Sequence, residues 1–163
     1  MKTTASFALV ALLACSCGGA AMHPSPPVTE STAHSTRAIA VTPAAQVAFR
    51  PLLPDDTTGK GPAASVVFGD LSKRVPTGLL MKVPADADPG PHTHSSDYHG
   101  VVISGTLRHF TPGGGEGPAL TAGSTWFAPR DVVHENHCET NEPCVLYLVF
   151  DDGFDVKPVT DKH

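Results

Sequence analysis

Pro91-His92-Thr93-His94 and, far downstream, Pro129-Arg130-Asp131-Val132-Val133-His134 are the two stretches whose reading decides the fold of this chain. Two histidines one residue apart on an extended segment project from the same face, because side chains along a strand alternate with period two. A third histidine can join them only through folding. Neutral imidazole is the commonest protein ligand for divalent transition metals, and three such nitrogens with an open position describe an exchangeable or reactive site rather than a sealed structural one. A lone His-x-His also arises as a surface pair. Here Pro89-Gly90-Pro91 turns the chain in, Gly105 ends the apolar run that follows, and His134 comes after a second strand punctuated by Gly and Pro.

Working outward, 15 Gly and 16 Pro among 163 residues interrupt the chain too often for a long helix. Strand-like runs cover Ala64 to Phe68, Thr77 to Val83, Tyr98 to Ser104, Thr106 to Phe110, Ser124 to Ala128 and Cys144 to Phe150. Short strands separated by turns point to an all-β sandwich or barrel. Val101-Val102-Ile103 followed by Gly105-Thr106-Leu107-Arg108 reads as a strand, a tight Gly turn and a return strand. Leu146, Tyr147, Val149 and Phe150 predict a closing strand buried on both faces. Of the neighbours Trp126 and Phe127, Trp126 is expected inside, near His134. Pro43 to Phe49 and the tail after Asp152 carry no assignable pattern.

The length fits one domain able to close a core without disulfides. A net charge of -5 with no Lys/Arg cluster argues against nucleic acid as a partner. Residues 1–17 read as an address: Lys2, the apolar run Phe7 to Ala14, and Leu12-Leu13-Ala14-Cys15, which looks like a bacterial lipobox with Cys15 as the lipidated residue. A plain secretory signal is the competing reading, and Cys17 leaves the choice of cysteine open. Ser16 after the cysteine suggests the outer membrane, so the chain is expected to be exported to the cell envelope, facing the periplasm, and to touch the membrane only through a lipid anchor. Residues 18–45, rich in Ala, Ser, Thr and Pro, read as a flexible tether carrying the incidental His23 and His34. The domain itself spans 46–163. Cys138 and Cys144 flank a polar turn, where a disulfide in an oxidising compartment would contribute roughly 2 kcal/mol through loop entropy; the alternative places Cys138 in the metal pocket.

The segment from Pro89 through His92-Thr93-His94 and Asp97-Tyr98-His99 to Gly105 resembles the first motif of the cupin superfamily, and Gly123 to His134 resembles the second. The resemblance runs over roughly residues 46 to 152 and is nearest to a little-characterised bacterial branch of single-domain, RmlC-like proteins. It implies a double-stranded β-helix, or jelly-roll, barrel in which His92, His94 and His134 hold a divalent transition metal. The chain departs from the pattern at Tyr98, which stands where the metal-binding Glu is usual, and at Asp131, which replaces a Gly; Cys138 stands where Asn is common. Asp97, one residue early, belongs on the face opposite Tyr98. Three readings of the fourth ligand position stay open: His99 after a small register change, Tyr98 as ligand or as hydrogen-bonding neighbour, or no fourth protein ligand.

Tyr98 and His99 are the candidate catalytic residues; His109 reads first as an exposed strand residue and second as a pocket acid or base. His137 lies too close to His134 in sequence for a shared face to follow. Iron, zinc, manganese, nickel and copper all fit such a ligand set. A carboxylate-free site keeps the full charge of the ion and favours a small anionic ligand or substrate. The expected function is an exported metal-dependent enzyme, of the oxygenase or a related type; the alternative is a non-catalytic envelope module that binds a small ligand or metal. A homodimer covering open sheet edges is the expected assembly.

Overall fold

Alternation of β-branched and aromatic residues with smaller or polar ones builds ten strands: β1 (Arg50–Pro51), β2 (Ala63–Phe68), β3 (Thr77–Val83), β4 (His92–Thr93), β5 (Tyr98–Ser104), β6 (Leu107–Phe110), β7 (Thr125–Ala128), β8 (Glu135–Cys138), β9 (Cys144–Phe150) and β10 (Lys157–Pro158). A computed structural model of the chain describes residues 38–52, 56, 60–85, 87 and 89–160. All ten strands belong to the unit Ala40–His163. Cys15, the 1–17 address and the expected tether up to residue 37 lie outside the described residues. Pro43 to Phe49, unassigned from sequence, contains one 3-10 turn, Ala44–Gln46. No helix among the described residues is long and apolar enough to cross a membrane.

One layer is a six-stranded antiparallel sheet in the order β1-β2-β3-β9-β5-β7. The pairs β10-β4 and β6-β8 make up the other. A bridge between His92 and His134 joins these two pairs, and Leu107↔Leu120 extends the β6 side. Side chains from both layers fill the space between, with Leu79, Val83, Val102, Leu107 and Phe150 nearly or fully inaccessible. This is the double-stranded β-helix barrel that the sequence motifs imply.

Two expectations about the strands are corrected. The segment Val101 to Arg108 is not a hairpin: β5 pairs with β7 and β9, whereas β6 pairs with β8. Gly105, at φ +89°, carries the chain from one layer to the other, a conformation with little cost only for glycine. β9 is also not buried on both faces. Cys144, Leu146, Leu148 and Phe150 face the core, while Val145, Tyr147 and Val149 between them are half-buried, because the outer face of this central strand has no second layer above it.

The disulfide Cys138–Cys144 is formed and ties the end of β8 to the start of β9. Both cysteines are buried in the core, so Cys138 serves the fold and not the histidine cluster.

Trp126 turns inward, as its parity suggests, and Phe127 outward. The indole lies over Gly100, its register partner; a Cβ at Gly100 would sit 2.1 Å from Trp126 Cζ2. Gly100→Ala is therefore expected to lift the indole and destabilise the fold by about 1–3 kcal/mol. The chain's one tryptophan reports this directly: urea denaturation followed by fluorescence should show a lower midpoint and a shifted native emission, and an unchanged native spectrum would contradict the seating.

Candidate metal centre

His92 and His94 lie on and just after β4, two residues apart and hence on one face. His134 precedes β8 and exchanges both backbone hydrogen bonds with His92, His92 N to His134 O and the reverse, each 3.0 Å. In such a hydrogen-bonded antiparallel pair the two side chains leave the sheet on the same side. The third imidazole is thereby delivered to the first two, with ring centroids 4.5 Å (92–134), 5.1 Å (94–134) and 5.2 Å (92–94) apart. All three are buried, and their ligand atoms lie within 4.8 Å of one another.

Their tautomers follow from their partners. His92 Nδ1 is 2.8 Å from Gly90 O, His134 Nδ1 is 2.9 Å from Val132 O, and His94 Nδ1 bonds Asp155 O. A carbonyl only accepts, so each Nδ1 carries the hydrogen and each Nε2 keeps its lone pair. Backbone anchoring of the far nitrogen is the arrangement that orients metal-ligating histidines. Three neutral, oriented donors fit a divalent transition metal.

Burial favours the neutral form of His94, His134 and His109. It pushes His94 down to about 4, against the opposing bond to Asp155 O and with help from the neighbouring imidazoles. Burial likewise depresses His134. His109 falls to about 3, through burial first and then the nearby histidines. The Tyr98 hydroxyl is raised by burial, which keeps it a phenol.

Tyr98, in the slot of the usual Glu, points inward from β5 and stacks on Phe150. Its oxygen is 3.2 Å from His134 Nε2 and 3.5 Å from His109 Nε2. It is thus a hydrogen-bonding neighbour of the cluster. His99 is corrected: one residue along the strand, it faces the exterior, exposed, against Phe127 at 4.9 Å. No register change brings it inside, and the cluster of His92, His94 and His134 has no fourth His, Cys, Asp or Glu among the described residues.

His109 is the second correction. It is half-buried, its ring 4.9 Å from His134 and 5.2 Å from Trp126, and it lines the pocket. The signal was Leu107, whose burial two residues earlier fixes the inward parity of β6; Phe110, half-buried on the other face, obscures it. The tail after Asp152 was also missed. Phe154 packs on Phe150 and His94, and Asp155 orients His94 through its carbonyl while its carboxylate accepts from Ser95 N at 2.7 Å and Ser95 Oγ at 2.5 Å.

The cluster opens into a cavity of about 420 Å³ walled by apolar side chains such as Met81, Val83, Leu146, Leu148 and Phe154. Among the described residues, no carboxylate lines it. Asp97 is held outside by the Arg130 backbone N–H at 2.7 Å and its guanidinium, which lower its pKa, and Asp131 faces Lys157 at 3.7 Å. A separate group, Glu116, His137 and Glu139, lies at the surface, where Arg108 already binds Glu139 at 2.8 Å.

Depressed histidines make stability depend on pH. The unfolded chain takes up protons below about 6.5, whereas His94 and His109 resist until about 4 and 3. Stability is therefore full above pH 6.5 and is lost as the pH falls toward those lower values. Urea midpoints of the metal-free protein should drop between pH 7 and pH 5, and less so in His109→Phe; equal midpoints at the two pH values would refute this.

Residues 79–150 match the family model of the cupin domain. Among solved structures, the polyketide cyclase RemF from Streptomyces resistomycificus is similar at 16% identity and TM-score 0.59, over 77% of this chain and 88% of that one. RmlC-like cupins from Ralstonia eutropha (15%, TM-score 0.54, 72% and 78% covered) and Shewanella frigidimarina (16%, TM-score 0.53, 72% and 93%) are similar too. Identities this low bear on the fold alone. No curated protein matches the sequence. The matched segment lies within the barrel, and the fold is the cupin-type double-stranded β-helix.

Proposed function

We propose that this chain is an exported, metal-dependent enzyme that acts on a small molecule with an anionic head and an apolar body. The observation that carries the reading is the set of three backbone-anchored imidazoles, His92, His94 and His134, the first two of which line a largely apolar cavity. A divalent ion held there supplies Lewis acidity, and iron would add dioxygen binding. The residues do the rest. The apolar wall excludes water and accepts the body of the ligand, and the lack of a lining carboxylate among the described residues leaves the positive charge of the site to attract an anionic group. His109 and Tyr98 are the side chains placed to hold or move a proton beside the cluster.

One observation favours a second reading, a non-catalytic envelope module that binds a small ligand or metal. No carboxylate base among the described residues lines the cavity, and burial disfavours the charged forms of both His109 and Tyr98. Export to the envelope is supported by the Cys138–Cys144 disulfide, which suits an oxidising compartment, and by the Leu12-Leu13-Ala14-Cys15 address; a lipid anchor at Cys15 would hold the domain at the membrane. Exposed Ile103 and Phe127 on the outer face of the large sheet support pairing of two copies.

Anaerobic reconstitution with iron, zinc, manganese, nickel and copper, followed by oxygen-uptake assays on phenol and keto-acid panels, tests the reading. The expected result is one ion per chain, turnover with one metal, and at least a hundredfold loss of metal affinity in His92→Ala. Binding without turnover supports the second reading. Equal metal content in wild type and in a variant lacking all three histidines would sink both.

A further inference from the structure

The buried hydroxyl of Tyr98 has one hydrogen and two imidazole nitrogens within reach. His134 already spends its Nδ1 hydrogen on Val132 O, so its Nε2 is a bare acceptor, and Tyr98 Oη lies 3.2 Å away. His109 Nε2 lies further off, at 3.5 Å, and accepts when the His109 hydrogen is on Nδ1. A single hydroxyl hydrogen serves one of them at a time, and the shorter contact makes His134 the present acceptor. Trp126 Nε1 is buried beside the Tyr98 hydroxyl and can only donate, so it offers the hydroxyl hydrogen no third destination.

We propose that Tyr98 caps the metal-ligating lone pair of His134, and that it passes its hydrogen bond to His109 when that lone pair is given to a cation. The inference rests on the metal reading above and assigns His109 a positioning role. The tyrosine ring need not move. It is stacked on Phe150 at 4.8 Å and 20° and is only 3% exposed, while rotation about the C–O bond redirects the hydrogen. Affinity for the cation then contains two opposed parts, the loss of the Tyr98–His134 bond and the gain of the Tyr98–His109 bond. The first is the better formed of the two in the metal-free protein.

Competition titrations of Zn²⁺ against a chromogenic chelator, on the full chain, read this out without any activity assay. Tyr98→Phe removes the cap and should tighten Zn²⁺ binding about threefold to tenfold, the range set by one net hydrogen bond. His109→Leu removes the second acceptor and should weaken binding by a similar factor, and His109→Gln, which keeps a side-chain acceptor, should recover most of it. In the Tyr98→Phe background His109→Leu should change nothing. Weaker binding by Tyr98→Phe, or a His109→Leu effect of equal size in both backgrounds, overturns the proposal while leaving the three-histidine site standing. A wild-type chain with no affinity for Zn²⁺, Fe²⁺, Mn²⁺, Ni²⁺ or Cu²⁺ overturns the metal reading and this inference with it.

Discussion

Two backbone hydrogen bonds between His92 and His134 hold the site together, because they are where two distant pieces of chain become neighbours. The same pair joins β10-β4 to β6-β8 and so completes the second layer of the barrel. Fold and site are therefore one structure here. Loss of the pairing would open the sheet and part the imidazoles together. A third bond, Asp131 N to His94 O at 2.9 Å, repeats the arrangement one step further along and brings the 129–134 turn over the second histidine. None of the three bonds uses a side chain, so the backbone sets the positions and leaves the imidazole nitrogens to the chemistry.

Neutrality is the second constraint. Three imidazoles whose ligand atoms lie within 4.8 Å of one another could not all be protonated, and burial opposes a charge on His94 and on His134. The backbone carbonyls of Gly90, Val132 and Asp155 meet this need without adding a formal charge, where carboxylates would have neutralised part of a bound cation. Tyr98 in place of the usual Glu continues the same logic. A phenol held above its ordinary range by burial adds no charge to the site, so an ion there keeps its full attraction for an anionic ligand.

The longer strands were legible because each is long enough to show its alternation. β3, β5 and β9 begin and end where Thr77 to Val83, Tyr98 to Ser104 and Cys144 to Phe150 suggest. β1, β4 and β10 have two residues each and carry no period to read; their existence depends on partners that sequence does not reveal. The expected hairpin at Gly105 failed for a related reason. A positive-φ glycine marks a reversal or a crossing equally well, and only the pairing of β6 with β8 distinguishes them. The three histidines were legible from spacing and motif. His99 was misplaced because a second imidazole beside Tyr98 attracted a ligand role that strand parity forbids, and His109 was undervalued because Arg108 and Phe110 on the opposite face hide the inward phase of Leu107. Asp155 acts on His94 through its main-chain carbonyl, a contribution any residue type could make and none advertises.

Asp131 shows how a departure from a motif can keep its geometry. It is the one non-glycine residue with positive φ among the described residues, at 60°, and it stands where the second motif ordinarily has glycine. Asp is among the few residues that enter this region at modest cost. The backbone demand of the turn is thus unchanged, because the turn must reverse between Pro129 and His134 while directing the Asp131 N–H to His94 O. Its side chain leans outward to Lys157 on β10, the strand paired with β4. At 66% exposure for the carboxylate this contact contributes little energy. What the substitution adds is location: the left-handed turn sets a negative charge on its outer side, facing Lys157.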